Sequence, residues 1–163
     1  MLPPFSKLEE VLALSDARLL DCRWYLDGRR GKDAYLQLHI PGAVFIDLDR
    51  VLADPPGEHG RHPLPSPERF AAGMSAAGVS DSDTVVAYDD AGGTIAARLV
   101  WMLRVTGHDA TVLDGGIDAW PARDLVHGPE PEPAPGSFTA RPWPAEHLAD
   151  IDTVARGDAV LID

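Results

Sequence analysis

The segment TVVAY (84–88) constrains the fold more than any other, because four of its five residues are apolar. A strand with apolar side chains on both sides has to be covered on both faces of its sheet, as in parallel sheets. Well-marked helices flank it at 66–78, which begins with the capping pair Ser66 and Pro67, and at 94–107. The pattern predicts an α/β domain with a mostly parallel sheet and helices on both faces.

Shorter strand and helix patterns surround this central strand. Strands are predicted at 18–24, 44–48 and 110–116, and they alternate with helical segments. The first helix is predicted at 6–15, with Ser6 as its N-terminal cap. This alternation of strands and helices also favours a parallel sheet.

The last part of the chain has a different composition. Residues 128–144 contain six prolines, which predicts an extended, semi-rigid linker. Beyond it, residues 146–163 have the pattern of a helix and a strand, and LID (161–163) repeats the LLD of 19–21. The repeat suggests the start of a second domain in a longer protein, with a final strand that, without its own sheet, is disordered or paired with another copy of the chain. The expected parts are an N-terminal domain (1–127), the linker (128–144) and the first helix and strand of a truncated second domain (145–163).

Charge and composition exclude several kinds of partner. The chain of 163 residues has a formal net charge of −12, which would repel nucleic acids and anionic membranes. Its apolar runs are shorter than the roughly 20 residues of a membrane span, and its start does not resemble a signal peptide. The single cysteine, Cys22, cannot form an internal disulfide and fits a reducing compartment. We therefore expect a cytoplasmic protein that binds neither nucleic acid nor membrane.

The loop DDAGG (89–93) joins the central strand to a helix and has the features of an anion-binding site. Its glycines allow backbone N–H groups to converge beside the positive end of the helix dipole. Such a loop can bind an anion or lower the pKa of a cysteine thiol, yet Asp89 stands where the nucleophile would be expected. Alternatively, Asp89 or Asp90 caps the helix. Arg98, one turn inside the helix, could pair with either carboxylate or face a neighbouring cleft.

A set of motifs spread over residues 5–163 carries a resemblance to a known family. The first is YLQLHIPGAVFI (35–46). It is accompanied by LLDCRW, HPLPSPERFA, YDDAGGTIAARLVWMLRVTGH and VLDGGIDAW. In their residues and their order, these motifs resemble the rhodaneses, which are the thiosulfate and 3-mercaptopyruvate sulfurtransferases.

The resemblance implies the N-terminal, non-catalytic half of a two-domain sulfurtransferase. In such proteins both halves share the rhodanese-like α/β fold, and a cysteine of the C-terminal half carries the transferred sulfur as a persulfide. The N-terminal half typically has Asp instead, which matches Asp89. This chain is thus expected to contain no catalytic residue, no cofactor and no metal. The ligands expected for the whole protein are a sulfur donor, thiosulfate or 3-mercaptopyruvate, and a thiol or cyanide acceptor.

The resemblance also implies which residues line the cleft between the two halves. The expected cleft wall consists of Trp24, Asp49, His62, Thr94 and Ile95. Asp49 and His62 resemble a relay pair of mercaptopyruvate-type members. Thr94 and Ile95 stand where thiosulfate-type members carry bulky aromatics, so the combination favours a mercaptopyruvate-type pocket.

Two histidines have structural alternatives. His62 and His59 are spaced as metal ligands can be, but no third ligand is placed nearby, and His62 could also be a solvated loop residue. His39 is expected to fix the HIPGA turn through hydrogen bonds.

Two other functions are compatible with the sequence. The chain could be a stand-alone, catalytically inactive rhodanese-like module that binds a partner. It could also be an enzyme with Cys22 as its nucleophile, which requires an exposed thiol beside a positive charge. The structural alternative is that Cys22 is a small buried hydrophobic residue.

Overall fold

Five strands form the sheet at the centre of this computed structural model, which describes residues 1–58 and 60–157. The strands are β1 (Phe5–Ser6), β2 (Arg18–Asp21), β3 (Val44–Phe45), β4 (Val85–Tyr88) and β5 (Ala110–Leu113). They lie in the order β1-β5-β4-β2-β3, and each pair of neighbours is parallel. The strand predicted at the end of the chain and His59 lie outside the described residues.

β4 is central in the sheet, and all four of its residues are buried. Val85 and Ala87 belong to one apolar cluster, whereas Val86 and Tyr88 belong to another. Because side chains alternate along a strand, the two clusters cover opposite faces of the sheet. This confirms the predicted α/β domain with a parallel sheet covered on both faces.

Helices and short helical turns pack on the two faces of the sheet. The helices are α1 (Leu8–Leu12), α2 (Gly31–Gln37), α3 (Pro67–Ala76), α4 (Ala96–Val105) and α5 (Ile151–Ala155). A π-helical turn spans Leu48–Leu52, and 3-10 turns span Gly116–Ala119, Ala122–Asp124 and Ala145–His147. The π-helical turn, α3 and α4 contribute to the larger cluster, and α1 contributes Val11 to the smaller one. None of the helices in the described ranges has the length and apolarity needed to cross a bilayer.

The predicted cap of the first helix is wrong. Ser6 is the last residue of the edge strand β1, where it pairs with Leu113 and its hydroxyl accepts a hydrogen bond from Thr111 at 3.0 Å. The helix begins after Lys7 instead, whose backbone N–H donates to the Glu10 carboxylate at 2.8 Å. Ser66 does cap α3 as predicted, because its hydroxyl accepts a bond from the Arg69 N–H at 3.2 Å. A strand of only two residues is too short to show the alternation of apolar and polar residues by which strands are recognised in a sequence.

The proline-rich segment 128–144 is extended, but it packs against the body of the domain. The rings of Phe138 and Trp143 lie 5.7 and 5.4 Å from the ring of Phe70 in α3. The Trp143 indole also donates to the backbone oxygen of Pro65 at 2.8 Å. The segment is therefore fastened along α3 rather than held away from the domain.

Asp81 holds the same segment by charge and hydrogen bonds. Its carboxylate accepts bonds from the N–H and the hydroxyl of Thr139, at 2.8 and 2.6 Å. These bonds, with smaller contributions from His108 and Arg141, lower the pKa of Asp81 to about 2. The carboxylate thus stays ionised, and continues to hold the segment, well below neutral pH.

The order of the strands places the candidate site. The connection after β2 runs to β3 on one side, whereas the connection after β4 runs to β5 on the other, so the direction of the connections reverses between β2 and β4. In open α/β sheets, ligands bind outside the carboxyl ends of the strands at such a switch point. The residues that follow β2 and β4, including Trp24 and Asp89, lie at this position.

Candidate functional site

A buried ion pair shapes the end of β2. The Arg23 guanidinium donates to both carboxylate oxygens of Asp21, with a shortest distance of 2.6 Å, and both side chains are almost fully buried. Arg23 also donates to the backbone oxygen of Leu38 at 2.6 Å, which ties the strand end to the chain after α2. A planar, bidentate pair of this kind fixes its own orientation. The ion pair therefore fixes the position of the backbone next to the following residue, Trp24.

Three of the predicted cleft residues meet at the carboxyl edge of the sheet. The Trp24 indole N–H donates to one oxygen of Asp49 at 3.0 Å, and Nε2 of His62 lies 3.1 Å from the other. The Trp24 and His62 rings also touch edge to face, with centroids 5.1 Å apart. Asp49 thus bridges two aromatic residues that come from separate loops. We refer to these three residues as the Trp24–Asp49–His62 cluster.

The cluster is open to solvent on one side. The Asp49 side chain is 59% exposed and that of His62 is 23% exposed, so a ligand or a second protein surface can reach both. The hydrogen bond from Nε2 to Asp49 fixes the orientation of the imidazole ring. A ring held in this way can exchange a proton with a molecule placed against it.

Arg98 positions the loop that carries His62. Its guanidinium donates to the backbone oxygens of Leu52, His62 and Pro63, at 2.9, 3.0 and 3.2 Å. Burial of the side chain lowers the pKa of Arg98. The sequence left open whether Arg98 pairs with Asp89 or Asp90 or faces a cleft. In the structure, its side chain donates hydrogen bonds to these backbone carbonyl groups. The sequence could not indicate these acceptors, because a backbone oxygen leaves no residue-type signal.

The other two predicted residues lie at the start of α4. The Thr94 side chain is exposed, and its hydroxyl donates to the backbone oxygen of Ala91 at 2.8 Å. Ile95 is half-buried and packs against the larger apolar cluster, which Trp24 also contacts. Arg98, one turn further along, connects this end of α4 to His62. Thr94 thus bonds within its own loop, while Ile95 shares a packing surface with Trp24.

Asp89 fills the loop that was predicted to bind an anion. One of its oxygens accepts bonds from the N–H groups of Ala91 and Gly93, at 2.9 and 2.8 Å. The other accepts bonds from Ile95 and Ala96, at 2.8 and 2.9 Å, and the side chain is completely buried. Asp89 is therefore the occupant of an amide nest, and its bonds to Ile95 and Ala96 also satisfy N–H groups at the start of α4.

The glycines of this loop are needed for the nest. Gly92 and Gly93 have φ angles of +69° and +87°, which side chains with a Cβ rarely adopt. A Cβ at Gly93 would also come within 3.1 Å of the Phe5 ring. The backbone therefore curls tightly enough for amides on both sides of Gly93 to reach one carboxylate.

Asp90 has a different role from Asp89. Its carboxylate accepts a bond from the Tyr25 hydroxyl at 2.6 Å. Burial, together with this bond and the charge of Asp90, raises the pKa of Tyr25 to about 12. The bond ties the loop after β2 to the loop after β4, so the two loops of the candidate site are held together.

Cys22 is buried, so it lacks the exposed thiol that an enzyme with Cys22 as its nucleophile would require. Its side chain is 0% exposed, and burial, with the charges of Asp21 and Asp89, raises the pKa of the thiol well above its usual value. A thiolate is the reactive form of cysteine, so this environment disfavours reaction. The hypothesis of an enzyme based on Cys22 is therefore contradicted, and the structural alternative is confirmed.

Two further expectations concern histidines. His39 is buried, its Nδ1 lies 2.8 Å from the backbone oxygen of Tyr35, and its ring stacks on the Tyr35 ring. This confirms its structural role in the HIPGA turn. In the part of the chain that the structure describes, no group of three or more potential ligands is placed to hold a metal ion.

The parallel α/β fold and the amide nest around Asp89 indicate one class of protein. Comparison with known sequences supports the same class. The family described as "Rhodanese-like domain" matches residues 6–123. The chain therefore belongs to the rhodanese-like family, as its motifs predicted.

Particular relatives refine this assignment. The chain is 42% identical to a probable 3-mercaptopyruvate sulfurtransferase of Pseudomonas aeruginosa, over 91% of this chain and 54% of that protein. It is 47% identical to thiosulfate/3-mercaptopyruvate sulfurtransferase 2 of Arabidopsis thaliana, over 71% of this chain and 34% of that protein. It superposes on 3-mercaptopyruvate sulfurtransferase from Leishmania major with a TM-score of 0.76, at 32% identity, covering 85% of this chain and 41% of that one. The chain thus spans between about a third and about half of these relatives.

Proposed function

We propose that this chain is the non-catalytic N-terminal half of a two-domain thiosulfate/3-mercaptopyruvate sulfurtransferase. The observation that carries the proposal is the Asp89 carboxylate, which accepts four N–H bonds in the nest where an anionic sulfur nucleophile could otherwise sit. Cys22 offers no substitute, because it is buried with a raised pKa. A catalytic cysteine would then belong to a second rhodanese domain. The relatives support this, since each of those compared extends well beyond the region matched by this chain.

The proposed role of this half is to supply one wall of the active-site cleft. The Trp24–Asp49–His62 cluster lies at the switch point of the sheet and is open to solvent, where a second domain could approach it. In this role His62 would exchange a proton with the sulfur donor or acceptor, and Asp49 would hold the ring. Thr94 and Ile95 would contribute the remaining wall, without bulky aromatics. These features favour 3-mercaptopyruvate over thiosulfate as the sulfur donor.

The alternative is a stand-alone interaction module without catalytic activity. The buried Asp89 and Cys22 fit that alternative equally well. The reading frame beyond residue 163 distinguishes the two, because the proposed sulfurtransferase requires a second strand–loop–helix unit with a cysteine in its loop. A stop codon directly after residue 163 would favour the interaction module.

In the two-domain protein, His62→Gln is expected to lower kcat/KM with 3-mercaptopyruvate by about 10²-fold, the usual contribution of a positioned proton-transfer group. Asp49→Asn should have a smaller effect and should change the pH profile of kcat/KM, because the charge beside the imidazole is lost. Steady-state assays across a pH series measure both. His127→Gln is the matched control, since His127 is exposed and outside the cluster. Wild-type kinetics for His62→Gln would contradict the proposed role.

A further inference from the structure

A cavity next to the cluster concentrates positive charge in an otherwise acidic protein. The chain has a formal net charge of −12, with 14 basic residues in total. Yet one cavity of about 260 Å³ is lined by five of these basic side chains. They are Arg23, Arg29, Arg30, Lys32 and Arg50. The local charge is thus opposite to that of the whole molecule.

The backbone holds most of these residues in place. Gly31 packs so closely on the chain just after β2 that a Cβ there would overlap the backbone oxygen of Arg23. Arg29 is fixed further, because its guanidinium lies over the Tyr25 ring at 3.8 Å and its Nε donates to Asp27 at 2.8 Å. Arg30 and Lys32 are the chain neighbours of Gly31 and line the same cavity. The positive charges therefore line a defined recess rather than a loose loop.

The acids that line the same cavity already have partners. Asp49 accepts bonds from Trp24 and contacts His62, as described above. Asp47 accepts a bond from the backbone N–H of Asp49 at 3.0 Å and lies 3.7 Å from Nε of Arg50. Both carboxylates are thus directed towards groups other than Arg30 and Lys32.

The basic residues differ in how far their charge is neutralised. Arg23 is fully paired with Asp21 inside the protein, and Arg29 is paired with Asp27 at the surface. Within residues 1–58 and 60–157, in contrast, no ion pair joins Arg30 or Lys32 to a carboxylate. Their charges remain available to a ligand.

We propose that this cavity is a binding subsite for the oxyanion group of a small molecule, such as a phosphate, sulfate or carboxylate. Arg30 supplies a planar fork of donors and Lys32 a mobile point charge, which together suit an oxyanion. The volume of about 260 Å³ lies below the roughly 300–1,000 Å³ of sites that enclose whole drug-sized ligands. It therefore fits one anionic group better than a large cofactor or an extended acidic peptide. The subsite does not depend on the proposed sulfurtransferase function.

The subsite borders the Trp24–Asp49–His62 cluster, because Trp24 and Asp49 line both. The indole N–H of Trp24 can therefore report on an anion bound in the cavity. Gly31 and Lys32 also line the cavity, so their backbone amides provide two further reporters.

An NMR titration of the ¹⁵N-labelled chain with inorganic phosphate tests the proposal, with sodium chloride adjusted to keep the ionic strength constant. Saturable shifts are expected for the amides of Gly31 and Lys32 and for the Trp24 indole, with a dissociation constant on the order of 1 mM. Sulfate should act similarly, and acetate more weakly because it carries a single charge. An acidic peptide that binds more tightly than phosphate would contradict the small-molecule assignment.

Paired variants separate local binding from general charge effects. Arg30→Gln with Lys32→Gln should weaken phosphate binding at least tenfold. Lys7→Gln with Arg123→Gln removes the same charge from exposed residues that do not line the cavity, and should bind as the wild type does. As a second measurement, phosphate should raise the Tm of the wild type and the control but not of the Arg30/Lys32 pair. Non-saturating shifts, or equal weakening in both pairs, would overturn the proposal.

Discussion

Replacing Asp89 with alanine is expected to lower the free energy of unfolding by about 3 to 5 kcal/mol, which places it among the most damaging single substitutions. The carboxylate is fully buried and satisfies four backbone N–H groups, which lie in the loop before α4 and at the start of that helix. Each buried donor left without an acceptor costs about 1–3 kcal/mol, and water entering the space offsets part of the sum. Urea denaturation followed by circular dichroism measures the change.

Asp90→Ala is the matched control for this prediction. Asp90 is the adjacent residue with the same charge, but it is exposed and accepts its bond from the Tyr25 hydroxyl. Its loss should cost no more than about 1 kcal/mol, as is usual for a surface substitution. An Asp89→Ala variant as stable as Asp90→Ala would show that the nest does not depend on the carboxylate.

The second large effect is expected on placing a thiol in the nest. Asp89→Cys, made together with Cys22→Ala, should give a thiol with a pKa at least about one unit below the usual 8.5 or so. The N–H groups that now bind the carboxylate would bind the thiolate, and the positive end of α4 adds to the effect. At neutral pH this thiol should be alkylated faster than Cys22 of the wild type, because both positions are buried but only the nest stabilises the thiolate, whereas the pKa of Cys22 is raised. The pH dependence of alkylation, followed by mass spectrometry, gives both quantities.

A thiol at the neighbouring position controls for exposure alone. Asp90→Cys in the same Cys22→Ala background places a thiol in the same loop but outside the four-amide nest. Its pKa should be ordinary. If the two introduced thiols titrate at the same pH, the nest does not stabilise an anion and the interpretation of this loop is wrong.

Several features of the fold were predictable because they depend on local patterns. The apolar run of β4 indicated a strand covered on both faces, and the Ser66–Pro67 start indicated α3. The Gly-containing loop after β4 indicated an anion nest, and Asp89 fills it. The family followed from motif order, and the match over residues 6–123 confirms it.

The features that sequence did not indicate depend on contacts between distant residues. Arg98 bonds to backbone oxygens 35 to 46 residues away, and neither end of those bonds has a recognisable residue pattern. Asp81 reaches Thr139 across 58 residues, which turns a segment with the composition of a spacer into part of the packed domain. The Trp24–Asp49–His62 cluster was expected only through the family resemblance, since its three residues lie in separate segments of the chain.

Asp89 occupies the nest, and we propose on this basis that the chain supports sulfur transfer without carrying a nucleophile. The most direct test is the intact mass of the isolated chain after incubation with 3-mercaptopyruvate or thiosulfate. We expect an unchanged mass, because Cys22 is buried and is the only cysteine in the sequence that could hold a persulfide. A stable gain of one sulfur atom, mapped to Cys22 and absent in Cys22→Ala, would contradict it.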